Sequence, residues 1–172
     1  MTSPNLPSAP LNREALLAFF DELGFETTTV EHEPLFTVDQ SEKLHDQMSG
    51  AHTKNLFLKD KKSRYFLVTV DAHAEIDLKS LHRTIGASGR LSFGRPDKLL
   101  DYLGVVPGSV TAFGVVNDRD NQVTFVLDAK LVEHEIINCH PLINEATTSI
   151  KRDDLLKFAK LAQHEPLILE LY

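Results

Sequence analysis

A mixed α/β fold, with a central, mostly antiparallel mixed sheet surrounded by helices, is what the sequence predicts, on three observations. Apolar runs come in pairs joined by short charged turns, amphipathic segments with capping residues lie near both ends, and strands do not alternate strictly with helices as βαβ units require.

Residues 1–11 open with MTSPNLPSAP, rich in proline and lacking both a basic and an apolar region, so they read as a flexible lead-in and not as a signal peptide. A single domain is expected over 12–172. From Asn12, NREALLAFFDELG spaces Leu16, Phe20 and Leu23 by four and three; Asn12 caps the start and Gly24 the end of a predicted helix. TTTVEHE (27–33) alternates with β-branched residues and predicts a strand that Pro34 ends. Thr37 and Gln40 sit at capping-box spacing, opening a polar helix to about Met48.

NLFL (55–58) and YFLVTV (65–70), joined by the charged stretch DKKSR, predict a β-hairpin. Asp77 caps a predicted short helix through Leu81 to Ile85, and Pro96 suits the first turn of another that Gly104 closes. A second hairpin is expected from SVTAFGVV (109–116) and QVTFVL (122–127) around DRDN. Asp153 and Asp154 begin a last helix with Leu155, Leu156, Ala159 and Ala162 inward, stopped by Pro166.

Composition narrows the function classes. With 42% apolar and 25% charged residues the chain is an ordinary globular one, and a chain this long buries roughly 70% of its unfolded surface without staples. One cysteine, Cys139, permits no internal disulfide, which fits a reducing cytoplasm. No run reaches the length needed to span a bilayer, so a soluble protein without a membrane partner is expected. The net charge of −7 argues against broad attraction to nucleic acid, and DNA is not an expected partner. Yet residues 79–98 carry Lys79, Arg83, Arg90, Arg95 and Lys98 against Asp97 alone, a local charge of +4 with glycines that let backbone approach a phosphate. Composition by itself reads that stretch as a solvated face.

Motifs exclude more than they establish. GxGxxG and GxxxxGK[ST] are missing, which leaves nucleotide chemistry unsupported; HExxH and paired CxxC are missing too, so neither a metal nor another cofactor is expected. Adjacent Cys139 and His140 project to opposite sides of an extended segment, which disfavours a thiol–imidazole pair and makes Cys139 a packed residue. His140 and Asn144 can position a substrate through neutral hydrogen bonds or equally make local turn contacts. Lys54, at the mouth of a strand beside small residues, can reach a phosphate or developing negative charge, though lysines are mostly solvated. Pro107-Gly108 precedes an apolar run, where successive N–H groups can face an oxyanion or simply close a tight loop.

Taken together, FTVDQSEKL (36–44), HTKNLFLKDKKSRYFLVT (52–69), LGVVPGSVTAFGVVND (103–118) and HPLINEATTSI (140–150) resemble the free-standing prolyl-tRNA editing proteins, related to YbaK proteins and to the insertion domain of bacterial prolyl-tRNA synthetases. The likeness runs in order from about residue 12 to the C-terminus and is strongest to the alanine-specific branch, ProXp-ala or PrdX. It implies a YbaK-like editing fold and metal-free, cofactor-free hydrolysis of alanine esterified to proline-accepting tRNA. By the same resemblance Lys54 matches the required lysine, His140 the histidine of the HPxxN segment, and Gly108 the start of a GxxxP loop. This chain has Ala112 where many relatives carry proline.

The expected site is therefore catalytic Lys54, Gly108 and His140, with Ser109, Val110, Thr111, Asn144, Phe36 and Leu35 around the substrate. Arg83, Arg90, Arg95 and Lys98 are expected on the tRNA. The expected partner is the acceptor end of charged tRNA(Pro), with prolyl-tRNA synthetase a further candidate, and the expected setting is cytoplasmic. A cysteinyl-tRNA deacylase of the same fold and a non-catalytic RNA-binding module are the alternatives.

Overall fold

The sequence's capping signals set most of the helices in the computed structural model, which describes residues 5–35 and 38–172, with the backbone alone for Val38 and Asp39. Asn12 opens α1 (Arg13–Glu22), its side-chain oxygen accepting from the Ala15 N–H at 2.9 Å. Helix α2 (Val38–Gln47) stands where the polar helix is expected; Thr37, its expected cap, lies outside the described residues. Asp77 caps α3 (Leu78–Ile85), α4 (Pro96–Leu103) begins on Pro96, and α5 spans Arg152–Leu161. Gly86 and Gly104 close α3 and α4 in the left-handed conformation that glycine adopts without steric cost.

Among the described residues eight strands form one mixed sheet: β1 (Thr28–Glu31), β2 (Ala51–Lys59), β3 (Tyr65–Asp71), β4 (Ser92–Phe93), β5 (Val123–Asp128), β6 (Ile136–Cys139), β7 (Ala146–Lys151) and β8 (Leu167–Leu169). Their order is β1-β7-β6-β2-β3-β5-β8, with β4 paired to β2. The β2–β3 hairpin forms as predicted, antiparallel from Thr53↔Asp71 to Lys59↔Tyr65.

The second predicted hairpin does not form. Residues Ala112–Asn117 make a 3-10 helix opened by Thr111, and β5 pairs in parallel with β3 on one side and β8 on the other. All six of its residues are buried, and periodicity cannot separate an apolar strand from a helical turn that is apolar all round. A Cβ on Gly114 would come within 3.0 Å of Leu103 Cβ, so glycine lets this turn press against the end of α4. Residues 138–149, to which the sequence pattern assigns no element, supply the end of β6 and the start of β7.

Both faces of the central strands are covered, which explains the unbroken apolar run of β3. Phe57, Tyr65, Leu67, Phe125 and Leu127 join a core with α1, α4 and α5, whereas Leu58, Phe66, Val68, Val70 and Val126 pack with Leu81 and Ile85 of α3. In the larger core the Phe20 ring meets Phe113 edge-on at 5.1 Å and Phe158 at 5.2 Å, contacts worth about 1 kcal/mol each beyond area burial. The lead-in is tied to this core at its end: Leu11 is buried, and its N–H donates to Asn117 Oδ1 at 2.7 Å.

Candidate active site

The cleft begins where two parallel strands part. β2 and β6 pair only at Ala51↔Ile137 and His52↔Asn138, after which the Thr53 hydroxyl donates to the Asn138 carbonyl at 2.8 Å. Beyond that stitch lies a cavity of about 340 Å3, lined by Thr53 and Lys54 of β2, by Asn138, Cys139 and His140, and by Leu35, Gly108, Asn144 and Thr147. One wall comes from α2 through Ser41, Glu42, Leu44 and His45. A recess of about 230 Å3 adjoins it, lined by Thr53, Lys54, Asn55, Gly108, Val110 and His140. Parting parallel strands leave such a crevice beyond their carboxyl ends because no ladder partner fills it.

Lys54, half-buried on β2 opposite Val70, donates its ammonium to the Ala74 carbonyl, which leaves its other protons to serve the cleft. Gly108 has φ +91, a conformation open to glycine, and a Cβ built there would lie 3.8 Å from Asn144 Nδ2. Asn144 is 6% exposed and donates to the Leu35 carbonyl at 3.4 Å; its Oδ1 is buried with no hydrogen-bond partner among the described residues. Such an acceptor costs about 1–3 kcal/mol when left unpaired, so it points to a donor arriving with the ligand.

His140 carries complementary information. Its Nδ1 faces the Ala146 carbonyl at 2.9 Å; a carbonyl only accepts, so the proton sits on Nδ1 and Nε2 is left as the acceptor. Burial lowers its pKa below the ordinary histidine value, aided by His32 and opposed by the Ala146 hydrogen bond and Glu145. A neutral imidazole with a free Nε2 can take a hydrogen bond from water or from an amine. Burial pushes the Cys139 thiol up to about 12 despite the Thr53 hydroxyl donating to its sulfur at 3.7 Å, so this cysteine is no thiolate nucleophile.

The structure thus brings Lys54, Gly108, His140, Asn144 and Leu35 to one cavity, with Val110 in the adjoining recess. Phe36 lies outside the described residues. Ser109 and Thr111 line neither space: the Ser109 N–H donates to the Val106 carbonyl at 3.0 Å, and fully buried Thr111 caps the 3-10 helix. Sequence reasoning missed Asn55, in the middle of β2, and Thr147, His52 and His73, whose only local signal is their place beside strand ends. The four basic residues stand apart from the cavity. Arg83 on α3 and Arg90 after it are exposed, Arg95 pairs with Asp97 at 3.0 Å, and the Lys98 ammonium sits 5.5 Å from the centre of the Tyr102 ring. Among the described residues no helix is long and apolar enough to cross a membrane.

Comparison with known proteins identifies the family. The sequence profile of the aminoacyl-tRNA editing domain matches residues 32–158, from just before α2 to within α5. The chain is 42% identical over 164 residues to prolyl-tRNA synthetase associated domain-containing protein 1 of Danio rerio, covering 94% of this chain and 89% of that one. It is 39% identical over 149 residues to the prolyl-tRNA editing protein ProX of Acetoanaerobium sticklandii, covering 86% and 90%. A crystal structure described as a candidate trans-editing enzyme for prolyl tRNA synthetase shares the fold at a TM-score of 0.69 and 18% identity, over 96% of this chain and 98% of that one. The chain belongs to the aminoacyl-tRNA editing domain family, among the prolyl-tRNA editing proteins.

Proposed function

We propose that this protein is a trans-editing deacylase that hydrolyses alanine from mischarged tRNA(Pro) in the cytoplasm, after the charged tRNA leaves prolyl-tRNA synthetase. The observation that carries the reading is the convergence of Lys54, Gly108, His140 and the unpaired Asn144 Oδ1 on one cavity. At about 340 Å3 it is far larger than a methyl group and in the range of small-ligand pockets, room for a terminal nucleoside together with its aminoacyl group.

The roles follow from the chemistry of each group. The Lys54 ammonium and the loop backbone at Gly108 and Val110 hold the terminal adenosine and the ester carbonyl. Asn144 Oδ1 accepts a hydrogen bond from the α-ammonium, and His140 Nε2 orients the attacking water. The ester bond is already activated, so water attacks its carbonyl carbon as one water proton passes to His140 Nε2; the tetrahedral oxyanion then collapses, the carbon–oxygen bond to the ribose breaks, and that proton goes to the leaving ribose oxygen as alanine is released. A protein nucleophile is unnecessary, in keeping with the raised pKa of Cys139.

The need for such an enzyme is physical. A synthetase pocket sized for proline cannot sterically exclude alanine, and a small apolar difference is worth only about 1–3 kcal/mol, so a second, tighter site completes the sieve. The deciding experiment is deacylation of alanyl-, cysteinyl- and prolyl-tRNA(Pro) by the purified chain. Rapid release of alanine, with prolyl-tRNA(Pro) spared, is the expected result; faster release of cysteine would reassign the substrate, and binding without release would make the chain an RNA-binding module.

A further inference from the structure

Where α2 meets the turn after β3, at the mouth of the cavity, Glu42, His45 and His73 place one ligand atom each within 4.8 Å of one another. Glu42 and His45 stand at i and i+3 on α2, one face of one helical turn, and His73 Nδ1 lies 3.6 Å from Glu42 Oε1. The set is split between a helix and a turn, which is why HExxH and CxxC spacing does not reveal it.

We propose that Glu42, His45 and His73 form a Zn2+ site that ties α2 to the turn after β3 across the mouth of the cavity. Two imidazoles and a carboxylate make a donor set that Zn2+ accepts with a fourth position open. Bonds of about 2.0–2.1 Å in a tetrahedron put ligand atoms about 3.3 Å apart. The Glu42–His73 separation is already near that figure, and the widest gap closes by side-chain rotation. Both of these side chains are free to move, at 48% and 63% exposure.

Two further observations point to a ligand. His45 Nδ1 is buried with no hydrogen-bond partner among the described residues, although the ring belongs to a polar cluster. The His45 ring and the turn that carries His73 are also held in place. His52 stacks on His45 with centroids 4.1 Å apart while its own Nε2 is engaged by the Met48 carbonyl, and the backbone N–H of His73 donates to Asp71 Oδ1 at 2.9 Å, which fixes the turn that carries the His73 ring. Metal-binding histidines are oriented by outer contacts of this kind.

The test needs no tRNA, so its result is independent of the proposed deacylation. The chelator-stripped full chain is dialysed against Zn2+, and hydrogen exchange is followed with and without the metal. One equivalent is expected to bind at micromolar concentration or below, with slowed exchange of the α2 amides. His45→Ala and His73→Ala should each weaken binding by roughly tenfold or more, while His134→Ala, a histidine of another region, should not. His73 is mostly exposed, so its variant keeps the fold, which circular dichroism checks. Failure to bind Zn2+ at about 100 μM, or binding indifferent to His73→Ala, overturns the proposal.

Discussion

Asp60, just beyond β2, and Asn144, between β6 and β7, are both buried polar residues near strand ends, at 3% and 6% exposure. Asp60 is complete. Its carboxylate accepts from the N–H groups of Lys62, Arg64 and Ser88 and from Arg64 Nε. Burial works against its ionisation, and these hydrogen bonds overcome it to hold the carboxyl at about 2. Asp118 is another satisfied group: it accepts from the Gln122 and Val123 N–H groups and pairs with His164 at 2.8 Å. Asn144 has an oxygen with nothing to accept among the described residues. The contrast separates two uses of buried polarity. Where every lone pair is met, the group fixes a turn; where one is left over beside a cavity, the protein waits for a ligand to supply the donor.

That contrast can be broken by exchanging the two outcomes. The largest effect is expected at Asp118→Ala, which removes three hydrogen bonds, two of them from the buried Val123 and His164, and should cost about 3 kcal/mol of stability in urea unfolding. Lys54→Ala should come next, lowering kcat/KM for deacylation by about 100-fold, or about 2.7 kcal/mol, with the melting temperature nearly unchanged. Near-normal turnover would remove Lys54 from the reaction.

Asp60 offers a pH test. Its folded pKa is below the ordinary 3.8, so its stabilisation is complete above that value and is lost as pH falls toward about 2. The swing should reach about 2 kcal/mol between pH 5 and pH 2, read as the wild-type loss that Asp60→Asn does not show. Asn144→Ala should lower kcat/KM by roughly tenfold with little change in stability, because the bond it loses to Leu35 is long. A large stability loss with normal kinetics would put Asn144 with Asp60 and erase the distinction. The smallest effect is expected on the basic stretch: Arg83→Ala with Arg90→Ala should make the salt dependence of tRNA binding shallower by about one to two in log–log slope. Arg95→Ala should do less, since that guanidinium is already shared with Asp97.

Local chemistry made much of the fold legible. Asn12, Asp77, Pro96 and Gly104 mark helix ends through hydrogen bonds and dihedral angles confined to a few neighbouring residues, and the β2–β3 turn is equally local. What escaped depends on distant partners. The segment 109–116 is apolar enough for a strand and becomes a buried 3-10 turn because α4 and Phe158 enclose it, which no local pattern records. Strand β8 is short and pairs in parallel with β5, far away in sequence, and the four-residue β6 joins its antiparallel neighbour β7 through a six-residue connection, so neither a tight turn nor a clear alternation announces them. For the site, family likeness singled out Lys54, Gly108 and His140, and Asn144 stood out beside His140. The acid and imidazoles of the α2 wall escaped because their proximity arises only when α2 folds back against the turn after β3.

The brief union of β2 and β6 has a consequence for how relatives can differ. Since the chamber begins where that ladder stops, its depth is governed by a stopping point more than by the bulk of any side chain on its floor. Unfastening or adding one residue pair would shift the apex of the fork by about 3.3 Å, the span of one residue along a strand. A lineage could thereby resize its chamber with few substitutions, leaving the lysine, the glycine loop and the histidine in place while changing which amino acid fits between them.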